Sequence, residues 1–281
     1  MQRPEPDRVE WNARDFGTAA HAIMELLGRD PEARNLTHPP TLHAWLSAQL
    51  DHLVASSFGT RVPLAVRVQA EALRQRLAWL ARVQCASRTE GWEIIDVESK
   101  FEIPIGSSTV VGKIDRIDRH RDLGTLRVID YKTGKLVKAV DGEHRTKITS
   151  ATVLAAHLAN DSPAVHAAHS RGKPVDLLWR NLQLPLYALA LSERDGCLPR
   201  PCYFTLGPTA AEVAIHEWSD FSPADLDAAR DCAHWLVAQI AARVFWPPAD
   251  HPPNDDFTIL AAGRSLEELC APPPHGLPAS S

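Results

Sequence analysis

The sequence predicts an α/β protein, a central mixed β-sheet flanked by helices and preceded by an N-terminal helical segment. Three observations carry this expectation. Apolar residues recur at helical spacing up to about Arg88, the periodicity shortens to that of strands from Trp92, and helical and strand-like segments then alternate beyond Trp179.

In chain order, Phe16, Ala20, Ile23, Met24 and Leu27 fall on one helical face, and Gly28 reads as its stop. A second helix is expected over Leu42–Ser56. A third runs from Pro63, a residue favoured in a first helical turn, to about Arg88, with Leu73, Leu77 and Leu80 on one side. Trp92–Ile103, Thr109–Asp118 and Thr125–Lys132 read as three strands of a meander. The mixed-polarity stretch between Lys135 and Trp179 reads as loop, with a short helix over Ala151–Ala159. Trp179–Ser192 is expected to be helical, Cys202–Leu206 and Glu212–Trp218 to be strands, and Pro223 to open a last helix reaching about Val244. Prolines 247, 248, 252, 253 and 272–274 punctuate the tail, which is expected to be irregular, and disordered after about Cys270. The expected organisation is one domain over 1–270, with a helical segment at 10–90, a core at 91–245 and a Pro-rich tail at 271–281.

At 281 residues, 44% hydrophobic and 23% charged, the chain has an ordinary globular composition. It lacks the run of about 18 apolar residues that a membrane helix needs, and no secretory signal opens it. The five cysteines include no C-x-x-C pair, and the nearest two, Cys197 and Cys202, are separated by four residues. A reduced, cytoplasmic protein with no disulfide framework is expected, and no zinc site is evident. The net charge of −5 hides a local bias: residues 112–147 hold ten Lys/Arg against six Asp/Glu, and the remainder twenty against twenty-nine. A basic strip around an acidic pocket suits a protein that grips phosphate outside and a cation within.

Chemistry concentrates in two short strands, Gly112–Asp118 and Leu126–Lys132, separated by a turn-like stretch containing Asp122 and Gly124. Leu126, Val128, Asp130 and Lys132 share one strand face. Folding the hairpin about position 122 or 123 sets Asp115 opposite Asp130. Two carboxylates suited to a hard divalent cation then converge with an ammonium that can neutralise charge on phosphate, as a metal-dependent phosphodiesterase requires. Asp118 and Asp122 read as turn and surface residues.

These residues resemble the PD-(D/E)XK nuclease superfamily, specifically its RecB-like branch. G-x-I-D-R-I-D and I-D-Y-K-T-G match its two core strands, Gly17-Thr18-Ala19-Ala20-His21 its helical histidine motif, and Leu182-Gln183-Leu184-Pro185-Leu186-Tyr187 its Q-x-x-x-Y motif. The resemblance runs over residues 12–190 in the expected order and implies a restriction-endonuclease-like core. It implies that Asp115, Asp130, His21 and the Tyr131 carbonyl ligate Mg2+ or Mn2+. Lys132 would orient the attacking water or stabilise the pentavalent phosphate, and Glu98 would be an additional acidic residue of the site. Gln183 and Tyr187 would brace Lys132 or contact the DNA backbone, with Lys135 and Arg116 as further DNA-binding or supporting residues. Trp179 beside Arg180 is a candidate for stacking an unpaired base.

Several RecB-like nucleases carry an iron–sulfur cluster on one early cysteine and three late ones. Here Cys232 and Cys270 stand apart and no cysteine precedes His21, so no cluster is expected. The resemblance implies a DNA exonuclease of end processing or recombinational repair. It extends to the C-terminal nuclease domains of AddB-type helicase-nuclease subunits, so a helicase partner, or a helicase-like region upstream, is an expectation. Two alternatives remain open from sequence: a non-cutting, nuclease-like DNA-binding subunit, and a restriction or mobile-element endonuclease.

Overall fold

Three helices open the fold: α1 (Ala13–Arg29), α2 (Pro39–Phe58) and α3 (Leu64–Thr89). The computed structural model describes residues 10–152, 154, 158, 162–170, 173–244 and 264. α1 starts where Asn12 and Asp15 cap each other reciprocally, and Pro39 and Pro63 mark the starts of α2 and α3. Gly28 does not stop α1. It sits inside the helix, where an added Cβ would lie 2.1 Å from Val97 Cγ1, so the helix backbone approaches the sheet closely there.

β1 (Trp92–Ile105), β2 (Ser108–His120) and β3 (Leu126–Lys132) follow as an antiparallel meander. Gly106 and Gly124 take the positive φ that the two turns demand. Arg116 pairs with Ile129 and Ile117 with Val128, the register that a fold about position 122 or 123 requires. The chain then passes through α4 (Val140–His144), β4 (Arg145–Lys147), β5 (Val165–Ser170), β6 (Lys173–Trp179) and α5 (Gln183–Asp195). It returns as β7 (Arg200–Leu206), parallel to β3, then β8 (Val213–Glu217) and α6 (Pro223–Ala241). The main sheet is therefore mixed and five-stranded, in the order β1-β2-β3-β7-β8, and a small second sheet has the order β4-β6-β5.

Apolar side chains sort onto the two faces of the main sheet. Ile94, Ile129, Tyr131 and Phe204 pack against α1–α3, whereas Ile117, Val128 and Tyr203 pack with Trp179, Leu184 and Cys232 on the side of α5 and α6. This is a restriction-endonuclease-like core with an N-terminal helical segment. No helix among the described residues is long and apolar enough to cross a membrane.

The stretch expected as loop is where the fold departs most from the sequence reading. β5 and β6 form a hairpin, and Trp179 ends a strand instead of opening a helix; α5 begins four residues later. Burial of Leu177, Leu178 and Trp179 stabilises β6, a tertiary cause that a short mixed-polarity segment does not advertise. Most of the helix expected over Ala151–Ala159, the proline-punctuated tail and everything after Cys270 lie outside the described residues.

Candidate active site

α1 buries Ala20, Ile23, Met24 and Leu27 toward the sheet, which leaves His21 half-exposed beside Asp115 of β2 and Tyr131 of β3. Its Nδ1 lies 3.6 Å from Asp115 Oδ2, and its ring meets that of Tyr131 edge-on. Glu98 arrives from β1 by an unusual route. Its φ of 53° lies in the left-handed region, between Val97 paired with Arg116 and Ser99 paired with Ile114, just after a register shift at Ile94/Asp96. Such a backbone costs about 1–3 kcal/mol and persists where the surroundings over-determine it. The same irregularity explains why strand parity alone does not orient this residue. Ligand atoms of His21, Glu98 and Asp115 all lie within 4.8 Å of one another.

Asp130 is outside that group. Its Oδ1 accepts from Gln183 Nε2 at 2.7 Å, and its Oδ2 sits 2.7 Å from Lys132 Nζ yet receives no aligned hydrogen bond. Lys132 Nζ also donates to Gln183 Oε1 at 3.2 Å and lies over the Tyr203 ring, 5.0 Å from its centroid. Gln183 is the first residue of α5. One turn on, the hydroxyl of buried Tyr187 accepts a second hydrogen bond from Gln183 Nε2 at 3.1 Å. The i,i+4 spacing that puts both residues on one helix face thus builds a polar brace beneath the lysine.

Electrostatics mark the place as short of positive charge. Burial pushes the Asp115 carboxyl up to about 6, and the charge of Asp130 adds to this; the Tyr131 N–H donating to Asp115 Oδ2 at 2.9 Å and the nearby His21 oppose it. Asp130 is also raised, chiefly by burial, with Lys132 opposing. Burial likewise drives the Tyr187 hydroxyl up to about 12. A divalent cation would relieve both carboxylates at once. The donor set fits one: hard oxygens from Glu98 and Asp115, an imidazole from His21, and a buried Asp130 oxygen lacking a hydrogen bond.

Other expected residues sit elsewhere. Arg116 is corrected: it is 1% exposed and faces α3, with its guanidinium on Asp118, Gln84 Oε1 and the Tyr131 hydroxyl, so it cannot reach DNA. Asp118 is no surface residue either. It is fully buried between Arg116 and Arg127, while Asp122 is exposed. Trp179 is buried against the His166 ring, which removes it as a base-stacking platform. Lys135 is exposed, 3.9 Å from Glu212. Tyr131 contributes its N–H to Asp115, and its hydroxyl faces Arg116.

Two features escaped the sequence reading. Lys113, two positions before Asp115 on the same strand face, ion-pairs with Glu98, and that spacing was a readable signal. His144, a lone histidine in an unremarkable segment, is buried beside Tyr203 with no pattern to announce it.

A family model described as the PD-(D/E)XK nuclease superfamily matches residues 2–253. The search of curated proteins found no match to the chain.

Proposed function

The chain belongs to the PD-(D/E)XK nuclease superfamily, and from that premise we propose that it is a divalent-metal-dependent deoxyribonuclease of the RecB-like branch. We further propose that it is an exonuclease working from DNA ends, in end processing or recombinational repair. The observation that carries the reading is the convergence of His21, Glu98 and Asp115 beside a buried Asp130 paired with half-exposed Lys132.

His21, Glu98, Asp115 and Asp130 would hold Mg2+ or Mn2+. When bound, the cation supplies Lewis-acid polarisation and charge neutralisation at the scissile phosphate. The chain's own residues do the rest. The Tyr131 N–H fixes one Asp115 oxygen, and Lys113 restrains Glu98. Asp130 and Gln183 hold the Lys132 ammonium, which orients the attacking water or stabilises the charge that develops on phosphate. The expected products are a 5′-phosphate and a 3′-hydroxyl. Exposed Lys113 and Lys135 are the candidates for backbone contacts nearby.

The test is degradation of end-labelled single- and double-stranded DNA with Mg2+, with Mn2+ and with chelator. Wild type is expected to cut from ends only with metal. Asp130→Ala and Lys132→Ala, folded by circular dichroism, are expected to lose activity by a factor of about 100 or more. Folded wild type that binds DNA and never cuts it would favour a DNA-binding subunit and overturn the proposal.

A further inference from the structure

Lys132 is held from a third side by residues outside the four motifs. Its Nζ lies over the face of Tyr203, a β7 residue that is 1% exposed. Tyr203 is itself fixed: its hydroxyl is 2.8 Å from His144 Nε2, and the two rings stack 15° from parallel. His144 Nδ1 lies 2.8 Å from the carbonyl oxygen of Asn181, which can only accept. The proton is therefore on Nδ1, and Nε2 accepts from the tyrosine. Burial lowers the pKa of His144 to about 4, which keeps this tautomer neutral. Trp218 also stacks on the imidazole, with ring centroids 5.3 Å apart.

The same segment sets the start of α5. Arg180 N and Asn181 N both donate to the His144 carbonyl, and Asn181 Oδ1 accepts from Gln183 N at 2.8 Å. The two groups that bracket the ammonium, the Gln183 amide and the Tyr203 ring, are thus tied to one residue of α4. An aromatic face attracts a cation, more strongly where water is excluded, and it does so without competing for the hydrogen bonds of the ammonium.

We propose that Tyr203 and His144 are positioning residues for Lys132: the Tyr203 ring sets where the ammonium sits, and His144 holds that ring and the Gln183 turn in one register. This rests on the nuclease reading for its consequence, but not for its geometry.

Two readouts on the full chain separate these. The first is steady-state cleavage of labelled DNA with Mg2+. Tyr203→Leu is expected to lower kcat about tenfold at near-constant KM, and Tyr203→Phe, which keeps the ring but loses its hydroxyl tie to His144, to recover only part of the loss. The second needs no activity. In chain labelled with 13C-lysine, the Lys132 Hε protons, assigned by their absence in Lys132→Arg, are expected upfield of ordinary lysines through the ring current of Tyr203. That displacement is expected to persist in Tyr203→Phe and vanish in Tyr203→Leu. Unshifted Hε protons in wild type, or equal kcat losses in the Phe and Leu variants, would overturn the proposal. Wild type that cuts no DNA yet shows the displaced protons would overturn the nuclease reading and leave the positioning intact.

Discussion

His144 is an imidazole that folding strips of water and packs against two aromatic rings, and its titration is a readable consequence. Its pKa falls to about 4 in the folded chain from an ordinary 6.5, with burial as the main cause. The unfolded chain therefore binds the proton more tightly between those values. Stability from this group is complete above pH 6.5 and is lost as pH falls toward 4, by about 3 kcal/mol in all. Asp115 acts oppositely in an overlapping window. Its pKa rises from 3.8 to about 6, so the folded metal-free chain gains stability as pH falls through that range. Urea denaturation of wild type and His144→Phe at pH 7 and pH 4.5 isolates the histidine, because Asp115 is common to both. Wild type is predicted to lose more stability than the variant on acidification; parallel losses would contradict the account. Neither His144 nor the burial of Arg116 was legible in the sequence. A lone histidine has no pattern, and an arginine on a strand is exposed by default unless its counterion is also known to be internal.

At the scale of elements, two close approaches position the site. α1 rides against β1 at Gly28 and Val97, one residue before Glu98. Gly28→Ala is predicted to push the helix outward, destabilise the fold by about 1–3 kcal/mol and weaken Mn2+ binding by separating His21 from Glu98. A thermal melt together with a metal titration checks both; a variant as stable as wild type with unchanged metal affinity would remove the close approach from the argument. Glu98 carries backbone strain in its left-handed conformation. Glu98→Gly is therefore predicted to be more stable than Glu98→Ala by about 1 kcal/mol, with metal affinity reduced in both. The elements legible in the sequence were those with a local cause. The β2–β3 register followed from alternation about a glycine turn, and α1 to α3 from long apolar periodicity. The β5–β6 hairpin and the left-handed backbone at Glu98 owe their form to what packs on them, and no local pattern records that.

Over the whole molecule, the candidate site lies where segments distant in sequence meet across both faces of one sheet. His21 comes from the α1–α3 side, Gln183 from the α5 side, and Asp115 and Asp130 from the strands between. The basic strip expected around it is thinner than its composition implied, because Arg116 and Arg127 turn inward to Asp118 and Arg145 to Asp225, all in buried ion pairs. Two of these arginines share Asp118 and also donate to α3, Arg116 to Gln84 Oε1 and Arg127 to Ser87 Oγ, pinning the helical layer to the sheet. Asp118→Asn leaves two buried guanidinium groups short of their anion, and is predicted to cost about 3–5 kcal/mol in chemical denaturation. A cost under about 1 kcal/mol would mean that the pair is solvated. The motif residues were legible because the chemistry needs fixed residue types at fixed spacings. The ion network and the third wall around Lys132 were not, since many residue combinations would serve.

The proposed metal site rests on the convergence of His21, Glu98 and Asp115. Mn2+ titrated into the full chain, with pulsed electron paramagnetic resonance of the bound ion, tests it most directly. One saturable site is expected, its spectrum showing an imidazole nitrogen, with the nitrogen signal lost in His21→Ala and binding weakened in Asp115→Asn. Folded protein that binds no Mn2+, or binds it with no imidazole nitrogen and indifferently to both substitutions, would contradict it.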